Sequence, residues 1–441
     1  MKDKPNVIVF FTDQQRWDTT GVHGNPLGLT PNFDRMAQAG THCFNAFTCQ
    51  PVCAPARACL QTGKYATNTG VYRNALTLGD DQKTLAHYFK EGGYDTAYIG
   101  KWHLADREPV PRDRQGGYDY WLGANALEHT SDTYRTLVYD RDGKEVFLPG
   151  YRVDALTDAA IRYISGERAG PFFLFVSFLE PHHQNHVDDY PPPEGYREPY
   201  TGRWIPGDLA ALGGSSARHL GGYFGMVKRL DEALGRLSDA LRSLKILDNT
   251  IILYTADHGN HFKTRNGEYK RSCHEASIRI PMALSGPGFS GGGRVTELVS
   301  LVDMPPTLLD AAGLPVPGEM EGRSLLDGRK NWPDDVFIQI SESQTGRAVR
   351  TRRWKYGVTA PDADGWKDRD SPVYVEQYLY DLEHDPHELA NLIDMVSHQD
   401  VCKAMKARLL KRIKEVEGNE PSVTEAERSP SGQRKVYPEE I

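Results

Sequence analysis

The chain has little cysteine, no long apolar run and no excess of basic charge. Its six cysteines stand at positions 43, 49, 53, 59, 273 and 402 of 441 residues. Four of them crowd into one stretch, too few and too local for the disulfide framework of a secreted scaffold. Cys49 to Cys59 also lacks the paired Cys-x-x-Cys spacing of a structural zinc site. The N-terminal apolar run, Val7 to Phe11, is soon closed by Asp13. It is too short for a secretory signal, and no run in the chain is long enough to span a membrane. The expected location is therefore cytoplasmic, a trimmed leader being the alternative. Lys and Arg number 52 against 60 Asp and Glu, a net charge of -8, which leaves no electrostatic footprint for nucleic acid. Repeats and low-complexity tracts are absent too. An acidic chain that takes an anionic ligand must concentrate positive charge at the site.

What is present reads as alternating strands and helices. Strands are expected at Asn6 to Thr12, Thr96 to Ile99, Phe172 to Phe178 and Thr250 to Tyr254. Helices are expected at Asn32 to Gly40, Pro55 to Gln61, Leu85 to Glu91 and 219 to 244. This alternation predicts an α/β fold, a large domain whose mixed, mostly parallel sheet is sandwiched by helices. After about residue 330 the pattern changes to short strands at Val336 to Ile340, Ala348 to Thr351, Trp354 to Val358 and Gln377 to Tyr380. A helix at Val401 to Val416 follows. The division expected is a catalytic domain over 1–330, a small α+β domain with an antiparallel sheet over 331–420, and an extended tail over 421–441.

Polar clusters recur at the carboxyl ends of the expected strands. Four strands run into Asp13-Gln14, Lys101-Trp102-His103, His182 and Asp257-His258, and open α/β sheets bind ligands outside those ends. Two carboxylates, an amide oxygen and an imidazole suit a hard divalent ion, Ca²⁺ or Mg²⁺, with Mn²⁺ allowed by the imidazole. The plainer alternative makes Asp13 a helix cap. Lys101 offers a fixed positive charge and His103 a proton shuttle. Arg57 follows Cys53 by one helical turn.

The segment Cys53-Ala-Pro-Ala-Arg57, followed by Thr62-Gly63, resembles the maturation motif of the formylglycine-dependent (type I) sulfatases of the alkaline phosphatase superfamily. Gly-Lys-Trp-His-Leu at 100–104, Pro-His at 181–182 and Lys270-Arg-Ser-Cys-His-Glu-Ala-Ser-x-Arg-x-Pro281 follow in that family's order. Leu379-Tyr-Asp-Leu-Glu-His-Asp-Pro-His-Glu388-Leu-Ala-Asn391-Leu392 extends the likeness to about residue 393 and is expected to be structural. The resemblance departs in three places: Gln14 stands for a second aspartate, His274 for a tyrosine and Ala276 for a second glutamate.

That resemblance implies an alkaline-phosphatase-like fold and hydrolysis of a sulfate monoester, of a small sulfated carbohydrate or an aryl alcohol, to alcohol and inorganic sulfate. Gln14 keeps a formylglycine-dependent phosphonate monoester or phosphodiester hydrolase as the alternative. It further implies one divalent metal, calcium before manganese or magnesium, held by Asp13, Gln14, Asp257, His258 and residue 53. Cys53 would become 3-oxoalanine (formylglycine) through a maturase partner. One hydroxyl of the hydrated aldehyde would attack sulfur, His182 or Lys270 would protonate the leaving alcohol, and His103 would take the proton of the second hydroxyl as sulfate departs. Lys101, Lys270 and Arg57 would neutralise the sulfate. Lys263 is the fallback for Lys270, and His183 for His182. Nucleic acid and membrane are excluded as partners, and a homo-oligomer is left open. Specificity is expected from loops at 105–150 and 184–218, which carry Trp121, His129, Tyr134, His186, Trp204, Arg218 and His219. The reading predicts that the tryptic peptide Met36 to Arg57, from protein co-produced with a maturase, carries an aldehyde in place of the thiol. A mass spectrum showing only the intact thiol, with the maturase proven active on a control, would end the formylglycine reading.

Overall fold

The computed structural model describes residues 4–328, 331–430, 436–437 and 440–441. The large sheet is built from β1 (Asn6–Thr12), β2 (Thr41–Phe47), β3 (Asp95–Lys101), β4 (Tyr120–Ala124), β5 (Thr136–Asp140), β6 (Glu145–Leu148), β7 (Phe172–Ser177), β8 (Thr250–Ala256), β9 (Met282–Ser285) and β10 (Gly293–Ser300). Their order is β10-β2-β9-β8-β1-β7-β3-β4-β5-β6. The five central strands β8, β1, β7, β3 and β4 are mutually parallel. The antiparallel pairings involve β9 on one side and the β5–β6 hairpin on the other. The expected mixed, mostly parallel sheet is thus observed.

The β1 sequence Asn-Val-Ile-Val-Phe-Phe-Thr explains its central place. Side chains alternate across a strand, and here both faces are apolar. Val7, Val9 and Phe11 enter one core, while Ile8 and Phe10 enter the other. The helix Cys53–Thr62 covers the first face through Ala54, Ala56, Ala58 and Leu60. The long helix Ser216–Ser243 covers the second through Leu230, Leu234, Leu237 and Leu241. Apolar residues spaced at three and four positions explain why that helix forms.

The smaller sheet contains β11 (Asp335–Ile340), β12 (Thr345–Thr351), β13 (Trp354–Ala360), β14 (Val373–Asp381) and β15 (Ser422–Thr424). The first four pair antiparallel, as expected. The segment read as a tail departs from expectation: residues 422–424 pair parallel with β14, and Arg428 binds Glu376 at 2.8 Å. The rest of that tail, at 431–435 and 438–439, and the expected boundary at 330 lie outside the described residues. Phe337, Val349 and Tyr356 belong to the same apolar cluster as Val9 and Phe11, so one core runs beneath both sheets. Among the described residues no helix is long and apolar enough to cross a membrane.

Buried charge also joins the two sheets. Lys355 on β13 is fully buried, with Nζ 2.8 Å from Glu275 and 2.6 Å from Glu388. Glu388 also accepts the Glu275 N–H at 2.8 Å, and Arg350 on β12 reaches Glu275 at 3.2 Å. Asn391 accepts the Leu379 N–H at 2.9 Å and donates to the Gln377 carbonyl at 2.9 Å. The Leu379-to-Leu392 signature is therefore a set of buried fasteners. Removing one partner of a buried pair strands the other. Glu388→Ala is expected to lower unfolding free energy by about 3 kcal/mol in urea titrations. Glu383→Ala, at an exposed pair, should shift it by less than about 0.5 kcal/mol; equal effects would show the fasteners to be inert.

Candidate active site

The ends of four adjacent parallel strands lie level. Thr12 is in register with Ala256, Phe11 with Ser177, and Ser177 with Gly100. Each strand therefore delivers its next residues to the same place. β1 gives Asp13 and Gln14, β8 gives Asp257 and His258, β3 gives Lys101 and His103, and the segment after β7 gives His182. Gln14 and His103 take positive φ, 64° and 62°, which turns the chain sharply at the strand ends at a cost of about 1 kcal/mol each. Gly100 permits the close approach of β3 and β7, because a Cβ there would lie 1.9 Å from the Ser177 carbonyl oxygen.

The helix Cys53–Thr62 begins at Cys53 itself, so the thiol sits where free backbone N–H groups and the helix dipole favour negative charge. Asn74 holds this turn by accepting the Ala54 N–H at 3.1 Å. Cys53 is 1% exposed. Lys270 Nζ lies 2.7 Å from its Sγ and His258 Nε2 lies 3.3 Å away. Lys270 also reaches His182 Nε2 at 3.3 Å and His258 Nε2 at 3.2 Å. Burial alone would raise the thiol's pKa, but Lys270, Lys101 and His258 outweigh it and hold it well below its ordinary value. His182 is kept neutral by burial and by Lys270. Its Nδ1 pairs with the His183 carbonyl at 2.7 Å, which leaves Nε2 for the site.

Asp13 is wholly buried and clamped. Its Oδ2 lies 2.9 Å from Lys101 Nζ and 2.9 Å from Arg57 Nη2. Burial would raise its pKa, yet Lys101 and Arg57 drive it down. Arg57 also donates to the Lys101 carbonyl at 2.9 Å and to Ser177 Oγ at 2.7 Å. It lies 3.6 Å from Asp257 Oδ2. Its guanidinium therefore backs the two carboxylates.

Asp13, Cys53, Asp257 and His258 each place a ligand atom within 4.8 Å of the others, all buried. Burial and the neighbouring Asp13 push the Asp257 carboxyl upward, and its Oδ2 has no hydrogen-bond partner. His258 Nδ1 pairs with the Gly259 carbonyl at 2.9 Å, which turns the Nε2 lone pair inward as a metal-bound imidazole requires. Gln14 ties the set together through its N–H, 2.9 Å from Asp257 Oδ1. Two buried carboxylates facing each other, one with an unpartnered oxygen, and an imidazole beside them fit a divalent cation.

The expected site residues thus lie together, but Arg57 and Lys101, expected on the sulfate, are bound to Asp13 and Glu128, and Gln14 enters through its backbone N–H. Of the fallbacks, Lys263 pairs with Asp188 at 3.1 Å, and His183 stacks on His182 in the pocket wall, 3.4 Å from Gln14 Oε1. His186 pairs with Asp132 at the surface. Of the expected specificity residues, Trp121 is buried in the core on β4 and His219 is buried against Asp189, whereas His129 lines the pocket. Sequence reasoning missed Glu128. Its Oε1 lies 2.9 Å from Lys101 Nζ; burial would raise its pKa, but Lys101 and His103 bring it to about 2. It follows β4, the next strand along. The run Tyr120-Trp-Leu-Gly-Ala before Asn125 has the same apolar-then-polar form as the four recognised strand ends.

A family model described as sulfatase matches residues 5–314. The chain belongs to the sulfatase family. A second model, N-sulphoglucosamine sulphohydrolase, C-terminal, matches residues 267–415. The ulvan-active sulfatase of Formosa agariphila is 30% identical over 438 residues, covering 94% of this chain and 82% of that protein. The N-acetylglucosamine-6-O-sulfatase of Bacteroides thetaiotaomicron is 26% identical, covering 96% and 88%. A protein solved with its substrate D-glucosamine-2-N,6-O-disulfate superposes with a TM-score of 0.78 at 25% identity, covering 95% and 99%. The sulfatase is a sulfuric ester hydrolase, and its family implies a formylglycine and a divalent metal. Saturating Ca²⁺, Mn²⁺ or Mg²⁺ at about 100 times its Kd should stabilise the folded sulfatase by about 2.7 kcal/mol. Asp257→Asn should abolish that gain while leaving the metal-free protein at least as stable, since it removes one of two like charges. Thermal melts with and without chelator decide this, and an equal metal-induced rise in the variant would remove Asp257 from the metal site.

Proposed function

We propose that this sulfatase hydrolyses a sulfate monoester of a small carbohydrate, with calcium as its metal. The observation that carries the reading is the convergence of Lys270, His182, His258 and Asp13 on residue 53 at the floor of a pocket of about 440 Å³. The relatives named for ulvan and N-acetylglucosamine 6-sulfate support the carbohydrate. When converted to formylglycine, residue 53 supplies a hydroxyl nucleophile and a second hydroxyl whose deprotonation expels sulfate. The metal, when held by Asp13, Gln14, Asp257, His258 and residue 53, supplies positive charge to the transferring group.

The chain's own residues do the rest. Lys101 and Arg57 keep Asp13 ionised, and Lys101 is itself held by Glu128. Lys270 holds a proton at Nζ beside residue 53 and 3.3 Å from His182 Nε2, so the leaving alcohol oxygen takes its proton from Lys270, directly or relayed through His182 Nε2. His103, which lines the pocket and interacts with the Cys53 thiol, takes the proton of the second hydroxyl. Six free, buried cysteines suit a reducing compartment, in keeping with a cytoplasmic location.

Matured protein is expected to release sulfate from 4-nitrophenyl sulfate or a sugar sulfate faster than it cleaves a phenylphosphonate monoester. Faster phosphonate cleavage would favour the alternative that Gln14 suggests. Lys270→Ala should lower kcat by about 10²–10³-fold. Cys53→Ser, unable to become an aldehyde, should turn over at most once. Sustained turnover by that variant would refute the two-hydroxyl mechanism.

A further inference from the structure

The pocket above Cys53 has one wall that comes from the small sheet. The connection between β13 and β14 brings Trp366 to the pocket mouth, where the indole is 44% exposed. An exposed tryptophan on a surface loop normally loses freedom for no gain, yet this one is braced from several directions. Asp364 accepts the Trp366 N–H at 2.9 Å and pairs with Lys367 at 2.8 Å. The Gly365 carbonyl accepts the Glu342 N–H at 2.8 Å, and a Cβ at Gly365 would come within 3.0 Å of the Glu342 and Gln344 backbone. Tyr72 donates its hydroxyl to the Lys367 carbonyl at 2.8 Å.

The brace continues into the catalytic floor. Glu342 lies 2.6 Å from Arg271 Nε and accepts the Asn74 N–H at 2.7 Å. Asn74 in turn holds the first turn of the Cys53 helix. Arg271 follows Lys270 in the chain, and its guanidinium carbon lies 5.6 Å from the Trp366 ring centre. The backbone that carries the indole is thus tied to the reacting centre by a short chain of hydrogen bonds, with Arg271 beside the ring, as a recognition surface requires.

The chemistry of the rim narrows what would lie on that ring. Arg271 is already paired with Glu342 and with Glu268 at 3.0 Å, which removes it as a free anion receptor. Asp106 and Glu268, both lining the pocket, are exposed carboxylates, paired with Arg107 at 3.2 Å and with Arg271. The mouth therefore offers an apolar face and hydrogen-bond acceptors. That combination suits a ring with one C–H face and several hydroxyl donors, and Arg271, being paired, is not open to a second anionic group next to the scissile sulfate.

We propose that Trp366 is a specificity-determining residue, the platform on which an otherwise uncharged pyranose carrying the sulfate stacks. The proposal rests on the sulfatase reading above. The test uses full-length matured protein whose residue 53 has been verified as formylglycine by mass. Sulfate release is followed from 4-nitrophenyl sulfate and from the monosulfates of N-acetylglucosamine, galactose, fucose and rhamnose. At least one sugar sulfate is expected to be a substrate. On it, Trp366→Ala should raise KM about tenfold, the worth of one aromatic face, with kcat within about twofold. Trp366→Phe, which keeps a flat apolar ring, should restore most of that KM. Two results overturn the proposal: hydrolysis of 4-nitrophenyl sulfate with no sugar sulfate accepted, or an unchanged KM in Trp366→Ala. A lowered kcat with unchanged KM counts with the second, since it marks a structural role. No sulfate release from any of these esters would instead overturn the sulfatase reading, and this proposal with it.

Discussion

The site depends on one ionised carboxylate kept away from water. Asp13 stands at the end of the central strand, fully buried, with Lys101 and Arg57 on the same oxygen. A lone buried charge would be prohibitive, so those two cations are conditions of its existence. Each makes its own demand on the fold. Lys101 needs Glu128 as a second counterion, and Arg57 needs Ser177 and a backbone carbonyl to complete its bonds. The requirement spreads outward from Asp13 through β3, β4, β7 and the helix of Cys53, the elements that carry the chemistry. Stability and function are supported here by the same contacts.

The level strand ends were legible because each combines an apolar run with an abrupt polar pair, and such a pattern survives without knowledge of strand order. The sequence left the adjacency of β8, β1, β7 and β3 open, and adjacency is what turns four clusters into one site. The end of β4 was harder to read. Its five residues include Gly123, and an interrupted run of that length carries little periodic signal. Glu128 was lost with it.

The contribution of the small sheet was illegible for a different reason. Glu342 and Trp366 act through tertiary contacts with Asn74, Tyr72 and Arg271, and nothing local in Ser341-Glu-Ser or Asp364-Gly-Trp marks a site. Conversely, Trp121 and His219 looked suitable for ligand recognition by residue type but lie buried. Aromatic and imidazole side chains are ambiguous in sequence because cores and sites use the same groups. The conspicuous signature from Leu379 to Leu392 carries assembly, through Glu388 and Asn391.

The helix Cys53–Thr62 has every residue buried, and this governs timing as well as packing. Any enzyme that edits the side chain at its head needs the segment open, and docking of the helix ends that access. Were a partner enzyme to convert residue 53, its rate would compete with the rate of folding. The composition of a purified sample at position 53 would therefore record how that race ran, and faster synthesis or quicker folding would leave more of the molecules permanently unconverted.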